Sequence, residues 1–275
     1  MPLHARSHDF VRPRYLVLLG LLAAGCSLAP IPSTASAQTA APRDPQALTI
    51  LTQVISAGGG PAALTAVQDF TETGTVNYPS DGGDTGSVTV KGRGLSQFRM
   101  DAAISEGQRS ILVNGNSSLL TDPTGGILPI PSQSAADLGG MMVPYLPLIS
   151  AITDSSVSIV YAGPVVVNGA TDYDIRFQRV YTAQQDATGT LGAREARDVY
   201  IDSNTYLITG IADQIYYGSG SGQSIAHEIL YSNYQPEGGI AMPLTVSETV
   251  NGTTGFTMQL SQISFNSGLT DSDFQ

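Results

Sequence analysis

The sequence predicts a mainly β protein with a few helices, built on one continuous antiparallel sheet or barrel. Glycine contributes 30 of the 275 residues, and only 13% of the residues are charged, about half the usual share. Short segments of alternating apolar and polar residues are separated by turn clusters such as Asp81-Gly82-Gly83-Asp84 and Asn114-Gly115-Asn116. Regular strands joined by such turns are typical of an antiparallel sheet.

Charge and cysteine content exclude several classes of function. The formal net charge of −11 argues against nucleic acid as a partner and against charge-driven binding to anionic membranes. The single Cys can form neither an internal disulfide nor a cysteine-based metal site.

The N-terminus has the pattern of a secretory signal peptide. A basic stretch that ends at Arg14 precedes a short apolar run from Tyr15 to Ala24. A transmembrane helix needs about 20 apolar residues, and this run is shorter than that. We therefore expect a periplasmic or secreted protein.

Two cleavage sites compete in this segment. Ala35-Ser36-Ala37 is an A-x-A site, and cleavage there leaves a signal peptide at residues 1–37 and a single domain at residues 38–275. We favour this site because its small residues fit the pattern well. The alternative is a lipoprotein signal at residues 1–25, because Leu22 to Cys26 resembles a bacterial lipobox. A lipidated Cys26 would make the protein an outer-membrane lipoprotein.

Two helices are predicted ahead of the strands. Asp44 is a good N-cap, and Pro45 at the first helical position strengthens the signal. Leu48, Leu51 and Val54 then follow at helical spacing, so one face is apolar. Three glycines from Gly58 end this helix, and Pro61 begins a short helical turn that reaches Val67.

Strands dominate from Asp69 onward. The predicted strands are residues 69–78, 85–103, 108–114, 117–121, 156–167, 171–182, 195–202, 206–217, 223–234, 241–250 and 254–266. In the last hairpin, a three-residue loop with Gly252 at a bulge would place Val246 opposite Phe256. A two-residue Asn251-Gly252 loop would mix the two faces, so the pattern favours the bulged loop.

An apolar insertion over residues 127–152 interrupts the strands. Ser134 can cap a helix there, whereas Pro144 and Pro147 forbid a long regular helix. Such a segment is either core or a mobile cover over an apolar cavity, and the apolar run alone favours core.

The sequence contains no recognisable catalytic motif. The nucleophile-elbow pattern is absent, because Gly stands at the Ser position of the stretch 218–222. His227 is the only His after residue 37 and shares a strand face with Ile229 and Tyr231, which favours a half-buried structural role. Paired acids such as Asp172 and Asp174 are read as solvated strand residues. We therefore predict no enzyme activity, no metal and no cofactor.

Three stretches carry a resemblance to a known family. They are Asp69 to Val76 with Val88-Thr89-Val90-Lys91-Gly92, then Gly94 to Asp101 with its Phe98-Arg99 pair, and Ile263-Ser264-Phe265-Asn266 through Phe274. Together with the order of the elements, they resemble the Lol-type periplasmic lipoprotein-carrier family, within the outer-membrane lipoprotein-sorting superfamily.

The resemblance implies an incomplete, unclosed β-barrel whose concave face is covered by an N-terminal helix and a helical lid. It implies that the cavity binds lipid or lipoprotein acyl chains, with an envelope protein as a further candidate partner. The implied lid and cavity residues are Leu138, Met141, Met142, Tyr145, Leu146, Leu148, Ile149, Phe98, Arg99 and Met100. For Arg99, strand geometry favours a solvated charge on the opposite face, whereas the family implies a role in positioning ligand or lid.

Two other functions stay open. The same fold could serve as a secreted or surface-anchored structural module without a ligand, or a hydrolase could use an unrecognised site. Lipid that co-purifies with the protein would distinguish the carrier from the structural module.

Overall fold

The structure is a computed structural model that describes residues 40–79, 82–115, 117–130, 138–216 and 224–275. The predicted signal peptide at residues 1–37, the alternative anchor Cys26 and the predicted cap Ser134 lie outside these residues and stay predictions. All described residues belong to one compact unit. Among them, no helix is both long and apolar enough to cross a membrane.

The described strands form one antiparallel 13-stranded sheet. In chain order they are β1 Asp69–Tyr78, β2 Asp84–Arg93, β3 Gln97–Ile104, β4 Gly107–Asn114, β5 Ser117–Thr121, β6 Ile127–Pro129, β7 Val157–Val167, β8 Ala170–Arg179, β9 Arg197–Asp202, β10 Ile208–Tyr216, β11 Ser224–Glu237, β12 Ile240–Val250 and β13 Thr253–Phe265. Their spatial order is β6-β5-β4-β3-β2-β1-β13-β12-β11-β10-β9-β8-β7. Because β6 and β7 are the two edges, the sheet is open, and the predicted fold class is confirmed.

Two strand predictions were wrong in detail. The predicted strand 85–103 is a hairpin, because the chain turns at Gly94 (φ +58°) and Gly92 pairs with Phe98. The short strand β6 was read as part of the insertion. It pairs with β5 instead and extends the sheet by one strand.

The last hairpin uses the two-residue loop that the pattern disfavoured. Asn251 and Gly252 both have positive φ, 51° and 76°, as a type I′ turn requires. The faces are not mixed, because a register shift next to Glu248 realigns the strands and pairs Val246 with Met258. The irregularity in β12 therefore keeps the apolar residues of the two strands on one face, which the three-residue loop was expected to achieve.

The helices are α1 Pro45–Ala57, α2 Pro61–Thr65, α3 Tyr145–Thr153 and α4 Thr190–Arg194, with a 3-10 helix at Asp271–Phe274. Asp44 caps α1 as predicted, since its Oδ1 accepts a hydrogen bond from the Gln46 amide at 2.7 Å. Residues 138–141 are also helical. The helix α4 was not predicted.

The prolines divide the insertion into two helical pieces. The chain leaves the helix after Met141, and α3 begins at Tyr145, directly after Pro144. Pro147 is tolerated in the first turn of α3, where backbone N–H groups have no partner within the helix. The two pieces pack closely, since a Cβ on Gly140 would lie 2.6 Å from Cγ of Pro147.

Specific hydrogen bonds hold the insertion against the sheet and α1. The buried Tyr231 hydroxyl of β11 donates to the Met141 carbonyl at 2.7 Å. The Arg43 guanidinium donates to the carbonyl of Ile152 at 2.7 Å and to that of Asp154, so it caps the last turn of α3. One apolar core joins α1, the insertion and the inner face of the sheet.

Asp69 ties the chain after β13 to the start of β1. Its buried carboxylate accepts hydrogen bonds from the Ser267 amide (2.7 Å), the Ser267 hydroxyl (3.0 Å) and the Gly268 and Leu269 amides (3.0 and 3.2 Å). We expect Asp69→Asn to lower the free energy of unfolding by about 2–3 kcal/mol, because an amide nitrogen cannot accept these bonds. Urea unfolding of the purified protein measures this loss.

Asp44→Asn is the matched control for that change. Asn is as good an N-cap as Asp, so the free energy of unfolding should stay within about 0.5 kcal/mol of the parent value. Equal effects of the two substitutions would show that Asp69 does not anchor this segment.

Candidate functional site

An apolar cavity of about 410 Å³ lies between the insertion and two distant parts of the sheet. One wall comes from β4 to β6 and the residue that follows: Ile111, Leu120, Leu128, Pro129 and Ile130. The facing wall comes from β10 to β12 and includes Ile211, Ile215, Ile229 and Tyr231, and the insertion contributes Leu138, Gly140, Met141 and Pro147. Since β5 and β10 are far apart in strand order, the sheet curves to bring them to one cavity.

Successive side chains of a strand point to opposite faces of the sheet, and this alternation brings the wall residues to the cavity. Ile211 and Ile215 lie on one face of β10, and Ile229 and Tyr231 lie on the same face of β11, because residues two apart in a strand point the same way. The same alternation brings Asp213 and His227 to this apolar face.

Three charged side chains on adjacent strands form what we call the ladder, Asp213, His227 and Glu248. His227 Nδ1 lies 2.7 Å from Asp213 Oδ1, and His227 Nε2 lies 3.2 Å from Glu248 Oε1. The side chains of Asp213, His227 and Glu248 are only 12%, 13% and 23% exposed. The ladder is therefore a partly buried polar strip in the wall of an apolar cavity.

The two carboxylates hold His227 in its charged form. Burial alone would lower the pKa of His227, but hydrogen bonds and charge from Asp213 and Glu248 raise it to about 10. At neutral pH the ring is an imidazolium, and each ring nitrogen donates its hydrogen to one carboxylate. The ring has no lone pair with which to accept a proton.

Glu72 is a second polar group on the apolar face. Its side chain is fully buried on β1, and within the described residues neither carboxyl oxygen has a hydrogen-bond partner. Its strand neighbours are Val90 on β2 and Ile263 on β13. Burial raises the pKa of Glu72 well above its ordinary value, because a low-polarity environment disfavours the charged carboxylate.

A larger groove of about 610 Å³ adjoins the cavity between α3 and strands β8 and β9. Pro147, Arg197 and Ile211 line both spaces. The groove also contains an ion-paired arginine, since Arg179 lies 2.9 Å from Asp154 and 3.4 Å from Glu195. The smaller cavity is the better candidate for an apolar ligand because its walls are mostly aliphatic.

Nine of the ten residues implied by the family resemblance lie in four places. Leu138 and Met141 line the cavity, and Leu148 lines the neighbouring groove. Four residues are fully buried in the core: Phe98, Met100, Met142 and Tyr145. Leu146 and Ile149 are partly buried and pack against the core.

Arg99 lies on the opposite face of β3 from the core. Its Nε lies 2.7 Å from Asp101 Oδ2, and its Nη1 donates to the Gln275 backbone oxygen at 2.6 Å. Neither partner belongs to the insertion or lines the cavity. Its neighbours Phe98 and Met100 are buried on the inner face.

Sequence reasoning missed the wall formed by β10 to β12. The available signal for this wall was the alternation in β11, which places His227 on the same strand face as Ile229 and Tyr231. Its partners Asp213 and Glu248 depend on the register of three strands, and β10 pairs Asp213 directly with His227. Within the described ranges, no group of three or more His, Cys, Asp or Glu residues is arranged to hold a metal ion.

Comparison with known proteins identifies the fold. No protein-family model matches the chain, and no curated protein matches it significantly. A solved LolA superfamily protein from Nitrosomonas europaea is 11% identical, with 83% of this chain and 97% of that chain covered, at a TM-score of 0.51. A proposed outer membrane lipoprotein-sorting protein domain from Vibrio parahaemolyticus is also 11% identical, with coverage of 83% and 95% and a TM-score of 0.48.

The match to the Nitrosomonas protein defines the fold. The chain has the fold of a LolA superfamily protein, and the resemblance inferred from the sequence is confirmed at the level of the fold. At 11% identity the likeness extends to the fold alone, because one fold can support unrelated functions.

The buried acid generates a prediction about stability and pH. The pKa of Glu72 is higher in the folded protein than in the unfolded chain. Between these two pKa values the folded protein binds more protons than the unfolded chain, so the free energy of unfolding falls as the pH rises through that interval. We therefore expect the stability gained by Glu72→Leu to be larger at pH 7 than at pH 4. Urea unfolding at both pH values measures the difference.

Glu106→Leu is the control, because Glu106 is exposed in the turn between β3 and β4. Its effect on the free energy of unfolding should be the same at both pH values. If Glu72→Leu destabilised the protein more at pH 7 than at pH 4, the buried carboxyl would have to be ionised and stabilising.

Proposed function

We propose that this protein binds acyl chains of lipids or lipoproteins in the apolar cavity and carries them outside the cytoplasm, in a bacterial envelope. The observation that carries this proposal is the cavity itself, whose two largely aliphatic walls come from distant parts of a curved sheet. The LolA superfamily fold agrees with it. In this proposal residues 1–37 are a signal peptide, and Gln38 is the first residue of the mature protein.

The energetics favour an acyl chain as the occupant. Transfer of each methylene from water into an apolar site contributes about 0.8 kcal/mol. The cavity walls offer side chains such as Ile111, Ile211 and Ile229 that have no hydrogen-bonding groups. A long chain therefore gains free energy along its length without a specific polar contact.

The insertion acts as the cover in this proposal. Leu138 and Met141 line the cavity, and the carbonyl of Met141 is tied to the sheet through the Tyr231 hydroxyl. The break between Met141 and Tyr145 separates the first helical piece from α3. We propose that this first piece moves when a chain enters, while Met142 and Tyr145 stay in the core.

The ladder does not suit acid–base catalysis. A general base needs a free lone pair, and His227 uses both ring nitrogens as donors to carboxylates. We therefore keep the prediction that no hydrolysis depends on His227.

A structural module without a ligand is the second candidate. It is favoured by the complete burial of Met142 and Tyr145, which shows that much of the insertion is ordinary core. Native mass spectrometry of the purified protein separates the two candidates, since co-purified lipid is expected only for the carrier.

The binding test uses N-phenyl-1-naphthylamine, whose fluorescence rises in apolar sites. We expect saturable binding, and we expect Leu138→Asp to raise the Kd at least tenfold, or about 1.4 kcal/mol, because it places a carboxylate in the cavity wall. The melting temperature should change little, since Leu138 is only partly buried.

Val166→Asp is the matched control, because Val166 on β7 is 71% exposed and does not line the cavity. It should leave the Kd of the probe unchanged. A purified protein that contains no lipid and does not bind the probe would favour the structural module.

A further inference from the structure

The ladder lies where the polar end of a bound amphiphile would be expected. Asp213, His227 and Glu248 line the same cavity as the aliphatic side chains Ile211 and Ile229. They occupy adjacent strands β10, β11 and β12, so together they form one polar strip across this wall. An acyl chain against the aliphatic part would bring its head group toward this strip.

The ladder can accept hydrogen bonds but cannot donate them. Both N–H groups of His227 are used, one on Asp213 Oδ1 at 2.7 Å and one on Glu248 Oε1 at 3.2 Å. Ionised carboxylates are acceptors only. With two carboxylates and one imidazolium, the ladder has a formal charge of −1. A head group that reaches it therefore meets unused acceptor lone pairs and a negative charge.

Besides the ladder, the polar residues that line the cavity are Arg197, Gln214, Tyr216 and Tyr231. The Tyr231 hydroxyl is occupied, since it donates to the Met141 carbonyl at 2.7 Å. Arg197 on β9 also lines the cavity and is the cationic alternative to the ladder as a head-group site. Arg197 also lines the neighbouring groove, whose lining includes the acids Asp154 and Glu195.

We propose that the cavity selects amphiphiles whose polar head donates hydrogen bonds to Asp213 and Glu248, with an ammonium head preferred, then a hydroxyl, over a carboxylate. This selectivity rests on the proposed function, because it assigns the head-group class of the same bound ligand. At the ladder, an anionic head would lie against two carboxylates and meet no free donor, because both N–H groups of His227 are already used. The protein's net charge of −11 adds to the repulsion.

Three ligands with the same tail and different heads test the selectivity. Decylamine, decanol and decanoate are titrated against the protein loaded with N-phenyl-1-naphthylamine, the two ionic ligands below their micelle concentrations and decanol below its solubility limit. We expect decylamine to displace the probe at a concentration at least tenfold lower than decanoate, with decanol between them. Decanoate that displaces the probe as well as decylamine would overturn the selectivity and leave the carrier function standing. A protein that does not bind the probe at all would overturn both.

Two variants with the same substitution locate the head group. Glu248→Gln removes a carboxylate of the ladder and should reduce the ratio of decylamine to decanoate affinity at least fivefold. Glu228→Gln is the control, since Glu228 follows His227 in β11 and points to the other face, outside the cavity lining. It should leave the ratio unchanged. Equal ratios in both variants would overturn the assignment to the ladder.

Two further measurements keep the test decisive. If the melting curve shows that Glu248→Gln does not fold, Asp213→Asn takes its place, and the ratio in the parent protein still decides on selectivity. A preference for decanoate that Arg197→Gln abolishes would place the head group at Arg197 and overturn the proposal.

Discussion

The apolar inner face of a single sheet is the constraint on which this structure depends. In the described part of the chain, thirteen strands lie side by side and no second sheet packs against them, so helices must exclude water from that face. The helix α1 and the insertion do this, and the insertion is fixed by two hydrogen-bonded contacts, Tyr231 to the Met141 carbonyl and Arg43 to the end of α3. The Met141 carbonyl is thereby satisfied at the proline break, and Arg43 satisfies carbonyls that have no helical partner at the end of α3.

The cavity follows from curvature and an incomplete cover. The sheet bends far enough for β5 and β10 to face one space, while the insertion fills only part of it. Residues deep under the insertion, such as Met142, are core, whereas Leu138 and Met141 border the open volume. The division between filled core and open cavity therefore runs through the insertion itself, close to its proline break.

Polar groups on the apolar face are accommodated in two different ways. Asp213, His227 and Glu248 neutralise one another in part and stay at the cavity surface, where some solvent reaches them. Glu72 is fully buried and has no such partner among the described residues, so burial raises its pKa and favours the neutral form. The first arrangement retains charge that a ligand can contact, whereas the second removes charge from the core.

Caps, turns and alternation are local signals, so the mainly β class, the capped helix after Asp44 and most strand positions could be predicted from the sequence. It also placed His227 on the inner face of its strand. Tertiary structure decided the split at Gly94, the type I′ loop with its compensating bulge, and the addition of β6 to the sheet edge. It also decided the site, since the ladder depends on the register of three strands and the cavity on curvature. These depend on contacts between residues far apart in the chain, which no local pattern specifies.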